Sequence, residues 1–159
     1  MALTKRKADP TLAEFVIIVS LMMSLLALSI DAMLPALPEM GADLQVQDAN
    51  SRQLVVSTIF LGLAAGQILF GPLSDRTGRK PAIYAGLGLY IAGSIIAVLA
   101  VGFPMLLSGR LLQGLGVAAP RAVGLALVRD RYEGRTMARV MSFVMTVFIM
   151  VPMIAPTVG

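Results

Sequence analysis

Long apolar runs interrupted by short polar islands set the pattern of the chain. No charged residue occurs from Phe15 to Ile30, from Leu54 to Leu73, or over the twenty-nine positions from Pro81 to Gly109. An α-helix rises about 1.5 Å per residue, so ~20 apolar residues cross a ~30 Å hydrocarbon core. Each of the first two runs therefore marks one span. The third is too long for a single helix and is expected to turn at Gly102-Phe103-Pro104. The pattern predicts five spans, at about residues 13–34, 53–73, 81–101, 105–128 and 138–159, behind a polar, basic tail over residues 1–12. Backbone polar groups in lipid must be satisfied within each helix. The expected fold class is all-α, a polytopic membrane helix bundle.

The densest island between two runs is Gly71 to Pro81, reading Gly-Pro-Leu-Ser-Asp-Arg-Thr-Gly-Arg-Lys-Pro. It reads as a tight basic turn that makes spans two and three antiparallel neighbours. Gly78 permits the reversal, and Pro81 suits the first turn of the next helix, where a missing N–H costs nothing. Residues 35–52 read instead as a surface loop, with Glu39, Asp43 and Asp48 against the single Arg52. Counting Lys and Arg by side, three in the tail, three in the turn and four near the fourth-to-fifth connection give ten on one face. By the positive-inside rule that face, with the amino terminus, is cytoplasmic. Lys5-Arg6-Lys7 ahead of an apolar run also imitates a secretory leader, but the run is long for one and four further spans follow it.

Composition narrows the picture. The chain has 159 residues, 57% of them apolar, and a mean hydropathy of +0.84, as expected of an integral membrane protein in contact with a lipid bilayer. It has no cysteine and no histidine, which removes disulfides, thiol nucleophiles, imidazole bases and Cys/His metal sites. The net charge of +4 sits at span ends, so it reads as a topology signal and no nucleic-acid partner is expected. Gly114-Leu-Gly116-Val-Ala-Ala119 matches a dinucleotide-binding pattern but lies within an apolar span with no preceding strand. No cofactor or resident metal is expected, and no enzyme.

Beyond the first two residues of each predicted span, three charged residues fall within them: Asp31, Arg110 and Arg121. Each costs at least ~2.5 kcal/mol at the helix centre by insertion scales, so a charge that persists there usually faces a cavity or a partner. Span one runs outward and span four inward, which puts Asp31 and Arg110 at similar depth and makes a pair between them, direct or through water, the expectation. Such a carboxylate can serve as a proton-binding switch. The plainer alternative is that Asp31 caps its helix or reaches the interface, and Arg121 can snorkel. At the basic face, Asp75, Arg79 and Asp130 are placed to form a small ion-pair cluster.

Gly71-x-Leu73-x-Asp75-Arg76-x-Gly78-Arg79-Lys80 between spans two and three resembles the loop signature of the major facilitator superfamily of secondary transporters. Further segments resemble its drug:proton antiporters of the bicyclomycin/chloramphenicol-resistance (Bcr/CflA) type. These are Asp31 to Pro38 at the end of span one, Gly109-Arg110-Leu-Leu-Gln113-Gly114-Leu-Gly116 in span four, Arg129-Asp130-Arg131 after it, and Pro152-Met-Ile-Ala-Pro156-Thr-Val-Gly159 in span five. The last departs from the family pattern in having Val151 and Ala155 where glycines often precede the prolines. The resemblance implies the amino-terminal part of a fold of two six-helix halves, each a pair of inverted three-helix repeats. It implies proton-coupled efflux of small amphipathic molecules by alternating access in the bacterial inner membrane, with the proton as coupling ion. Asp31 and Arg110 would couple protons or substrate, and Gly71, Asp75, Arg76, Gly78, Arg79, Lys80 and Asp130 would form the cytoplasmic gate. Arg110, Gln113, Gly114 and Gly116 would be the fourth-helix motif, and Pro152, Pro156 and Gly159 the fifth-helix motif. A sixth span and the carboxyl-terminal half, both needed for transport, are expected beyond these residues. The rival expectation is a truncated, non-transporting fragment or a small helical partner of other membrane proteins.

Overall fold

The structure is a computed structural model. It describes residues 11–43 and 49–158, without the side chains of residues 37, 43, 49–52 and 151–158. Six helices follow in order among the described residues: α1 (Leu12–Asp31), α2 (Leu37–Asp43), α3 (Ala49–Thr77), α4 (Arg79–Val98), α5 (Phe103–Arg131) and α6 (Gly134–Val158), with a 3₁₀ turn at Leu34–Ala36 between the first two. Four stretches among the described residues are long and apolar enough to cross a membrane: Leu12–Ala36, Gln53–Thr77, Arg79–Val98 and Phe103–Arg131. Helix α6 runs through the segment predicted as span five.

Local chemistry sets the ends. Helix α1 starts in a capping box: the Glu14 N–H donates to Thr11 Oγ1 at 3.3 Å, and the Thr11 N–H donates to Glu14 Oε2 at 2.8 Å. Helix α4 stops at Val98, and α5 restarts at Phe103 with Pro104 in its first turn, where the lost N–H has no intrahelical partner to give up.

The turn expected over Gly71 to Pro81 is much shorter in the structure. Helix α3 continues through Gly71 and Pro72 to Thr77, and Gly78 alone, at φ +94°, reverses the chain into α4. Apolar runs record lipid depth, whereas a helix remains stable for a turn or two beyond the hydrocarbon. For the same reason the surface loop expected over residues 35–52 is partly helical, holding α2 and the first turn of α3.

Helix α5 is the axis of the bundle, with α3 along one side, α4 along another and α1 against its second half. Lipid offers no hydrophobic drive between helices, so they associate by close packing of small residues. A Cβ added to Gly114 would run into the Ile59 carbonyl of α3, and one added to Gly116 would run into the Tyr90 amide of α4. Gly62 and Gly66 on α3 and Gly86 and Gly93 on α4 make the reciprocal approaches. Val117, Ala118, Ala119 and Val123 of α5 fill the centre with Ile59, Leu63 and Ala82, each no more than 8% exposed. Helix α6 packs chiefly on α1, where Val140 and Val144 meet Val16, Val19 and Met23.

Three contacts collect three chain segments at one end of the bundle. Phe15 near the start of α1 meets Tyr132 edge-on, with centroids 5.6 Å apart, and lies under the Arg131 guanidinium. Arg79 at the start of α4 reaches Asp130 near the end of α5. The start of α1, the α3–α4 reversal and the α5–α6 junction therefore share a face. Met33, Val55 and Leu106 form a separate cluster from the end of α1, α3 and the start of α5.

Candidate functional site

The first polar centre lies at the α3–α4 reversal. Arg79 Nη1 donates to Asp75 Oδ1 at 2.8 Å and to Ser74 Oγ at 2.9 Å, and its Nε donates to Asp130 Oδ2 at 3.0 Å. One guanidinium thus ties the end of α3 to the last turn of α5. Gly71, Ser74, Ala122, Ala126 and Arg129 line a cleft of about 260 Å³ beside it. Arg76 and Lys80 are exposed and belong to neither ion pair. Ser74 is the residue that sequence reasoning passed over. It is buried, and its hydroxyl donates to the Gly71 carbonyl at 2.9 Å while accepting from Arg79. Its position directly before Asp75 is the signal that could have found it.

The second centre lies between α4 and α5. Arg110 and Gln113, three apart on α5, face the same way, and Arg110 Nη1 donates to Gln113 Oε1 at 2.9 Å. Gln113 Nε2 donates to Ser94 Oγ at 2.7 Å, and Ser94 Oγ donates to the Tyr90 carbonyl at 2.8 Å. The Tyr90 hydroxyl meets Ser29 Oγ of α1 at 2.6 Å. Ser29 also donates to the Leu25 carbonyl at 2.7 Å, which uses its only proton, so Tyr90 is the donor in the hydroxyl pair. The chain of polar groups therefore runs from α1 through α4 to α5. Arg110 is 8% exposed, and its Nε is buried without a hydrogen-bond partner among the described residues. Ser94, Arg110 and Gln113 open on a cleft of about 300 Å³ whose other walls include Met40, Ala97 and Leu106.

The structure does not bring Asp31 and Arg110 into an ion pair. Among the described residues the ion pairs are Arg79 with Asp75 and Arg79 with Asp130. Equal depth did not settle the matter, because rotation about the helix axis decides which neighbour a side chain meets. Asp31 is the last residue of α1 and is partly exposed; Arg121 is also partly exposed. Gly114 and Gly116 act as contact points for α3 and α4. The side chains of Pro152 and Pro156, and all of Gly159, lie outside the described residues.

A bundle of apolar helices, packed through glycines and holding one ion-pair cluster at an end and a buried guanidinium inside, defines a multi-pass membrane protein. The Major Facilitator Superfamily profile matches residues 19–159, and the chain belongs to that family, a family of transporters. It is similar to Multidrug resistance protein MdtL of Escherichia coli O139:H28 (strain E24377A / ETEC), 35% identical over 130 residues that make up 82% of this chain and 33% of the relative. The MdtL of Shigella boydii serotype 18 (strain CDC 3083-94 / BS512) shows the same identity and coverage. The chain spans about a third of the length of these relatives.

Proposed function

We infer that these residues form the first five spans of a proton-coupled exporter of drugs or other small amphipathic molecules, of the Bcr/CflA type. The observation that carries this is the buried Arg110 guanidinium, whose Nε has no partner among the described residues of an apolar bundle. A buried charge with too few partners is costly. Its persistence fits a group whose partner arrives during the transport cycle. The multidrug-resistance naming of the relatives supports the substrate class.

In this reading Asp31, at the end of α1, takes up a proton or meets a cationic drug, and Arg110 responds to its charge. Arg79, held by Asp75 and Asp130, latches one face of the bundle and releases it as the halves rock about the substrate site. The clustering of the start of α1 with both basic junctions supports an inner-membrane orientation with this face cytoplasmic. The remaining spans and the second half complete the cavity.

The test is Asp31→Asn in a full-length transporter in which this chain supplies the first five spans and MdtL the remainder. Drug-induced proton movement and drug efflux are measured together in everted vesicles. Loss of proton-coupled efflux is expected, and unchanged efflux removes Asp31 from the mechanism.

A further inference from the structure

We propose that Ser94 is a positioning residue for Arg110, acting through Gln113. The polarity of the contacts carries this. A serine hydroxyl has a single proton, and Ser94 gives it to the Tyr90 carbonyl at 2.8 Å. Toward Gln113 it can only accept. Gln113 must therefore turn its NH₂ to Ser94, at 2.7 Å, and its Oε1 to the guanidinium, at 2.9 Å. One proton on α4 fixes the amide on α5, and the amide fixes which nitrogen of Arg110 is occupied. Nη1 is used, and the buried Nε–H is left for an incoming acceptor.

The guanidinium, which only donates, asks for the same orientation, so Ser94 and Arg110 hold the Gln113 amide between them. Without the Ser94 hydroxyl the NH₂ loses its acceptor, the amide keeps the guanidinium bond alone, and Gln113 no longer holds Arg110 in one place. Close approach makes the device workable, since Gly93 of α4 lies against Gln113 with no room for a Cβ, whose nearest contact would be the Gln113 backbone nitrogen at 2.6 Å. Tyr90, which receives the Ser94 proton on its carbonyl, also donates its own hydroxyl proton to Ser29, two residues before Asp31. The same residue thus anchors the device to α1. The inference rests on the reading of Arg110 as the coupling group.

The test uses the full chain in lipid bilayers, labelled with ¹⁵N-arginine, and reads rotation about the Cζ–Nη bonds of Arg110, assigned by loss of its signals in Arg110→Lys. Ser94→Ala is expected to speed that rotation about tenfold, the loss of the one neutral hydrogen bond that steadies the Gln113 amide. Ser94→Thr, which keeps the hydroxyl and its bond to the preceding turn, is expected to restore it. If Ser94→Ala fails to fold, Ser94→Cys, close in size and a poor acceptor, makes the same comparison. Rotation indifferent to residue 94 overturns the proposal even if Asp31→Asn abolishes efflux. Rotation controlled by Ser94 upholds it even if the efflux reading fails.

Discussion

The two guanidiniums that organise the bundle sit in opposite circumstances. Arg79, with its side chain 28% exposed, holds two carboxylates and a serine hydroxyl within 3.0 Å. Arg110, 8% exposed, holds one neutral amide, and its Nε has no partner among the described residues. Solvent would have stabilised Arg79 at little cost, yet it has an excess of partners. Arg110 has lost most of its water and has a deficit. An excess at the surface makes a contact that forms and breaks cheaply, which suits a latch. A deficit in the interior is a standing cost, which suits a group held ready for a partner.

Helix α5 carries Arg110 and Asp130, so both centres depend on how closely it approaches α3 and α4. Gly114→Val is therefore expected to have the largest effect. Its side chain would collide with the Ile59 carbonyl, and overpacking of this kind costs about 3 kcal/mol. Unfolding in mixed micelles should show that loss, with the Arg79–Asp130 contact weakened alongside it. Gly71→Ala serves as the control, because an added Cβ there meets nothing within 4 Å. Unchanged stability in Gly114→Val would mean that the two centres are not joined through α5.

The next prediction separates stability from function at the buried centre. Replacing Arg110 by Met and Gln113 by Leu together removes donor and acceptor at once, leaving no orphan between them. Exchanging buried polar partners for apolar groups of similar volume is often neutral or stabilising, by about 1–4 kcal/mol. The double variant is expected to unfold no more easily than the parent while drug-induced proton movement disappears. A large loss of stability would show Arg110 to be a structural strut, and the contrast with Arg79 would fail.

The helical class and four apolar stretches long enough to cross a membrane were legible in the sequence, as was the meeting of Asp75, Arg79 and Asp130, because apolar run length and the rarity of charge in lipid are strong one-dimensional signals. The sequence did not show how the centres are wired. Ser94 reads as a neutral interruption in an apolar run, and its partner Gln113 lies nineteen positions away; Ser29 and Tyr90 are sixty-one apart. Only the close packing of α4 on α5 makes Ser94 and Gln113 neighbours. Asp31 and Arg110 show the converse, since span order implies a shared depth but carries no information on helix rotation. Gly71 illustrates a third limit: a glycine followed by proline reads as a turn, but in the structure it stays helical within α3.

The smallest effect is expected at the latch. In a double-mutant cycle of Arg79→Ala with Asp130→Ala, the coupling should be ~0–1 kcal/mol, as for other exposed ion pairs. It should shrink further in 1 M salt, where the Debye length falls to about 3 Å. Asp75 and Asp130 are 68% and 53% exposed in their side chains, so water competes for both carboxylates. Weakness here follows from the proposed role. A contact that must open in each transport cycle adds its own free energy to the barrier, and a latch several kcal/mol deep would hold the bundle on one side. A coupling above ~2 kcal/mol that persists in salt would therefore place Arg79 with Arg110, as a permanent part of the architecture.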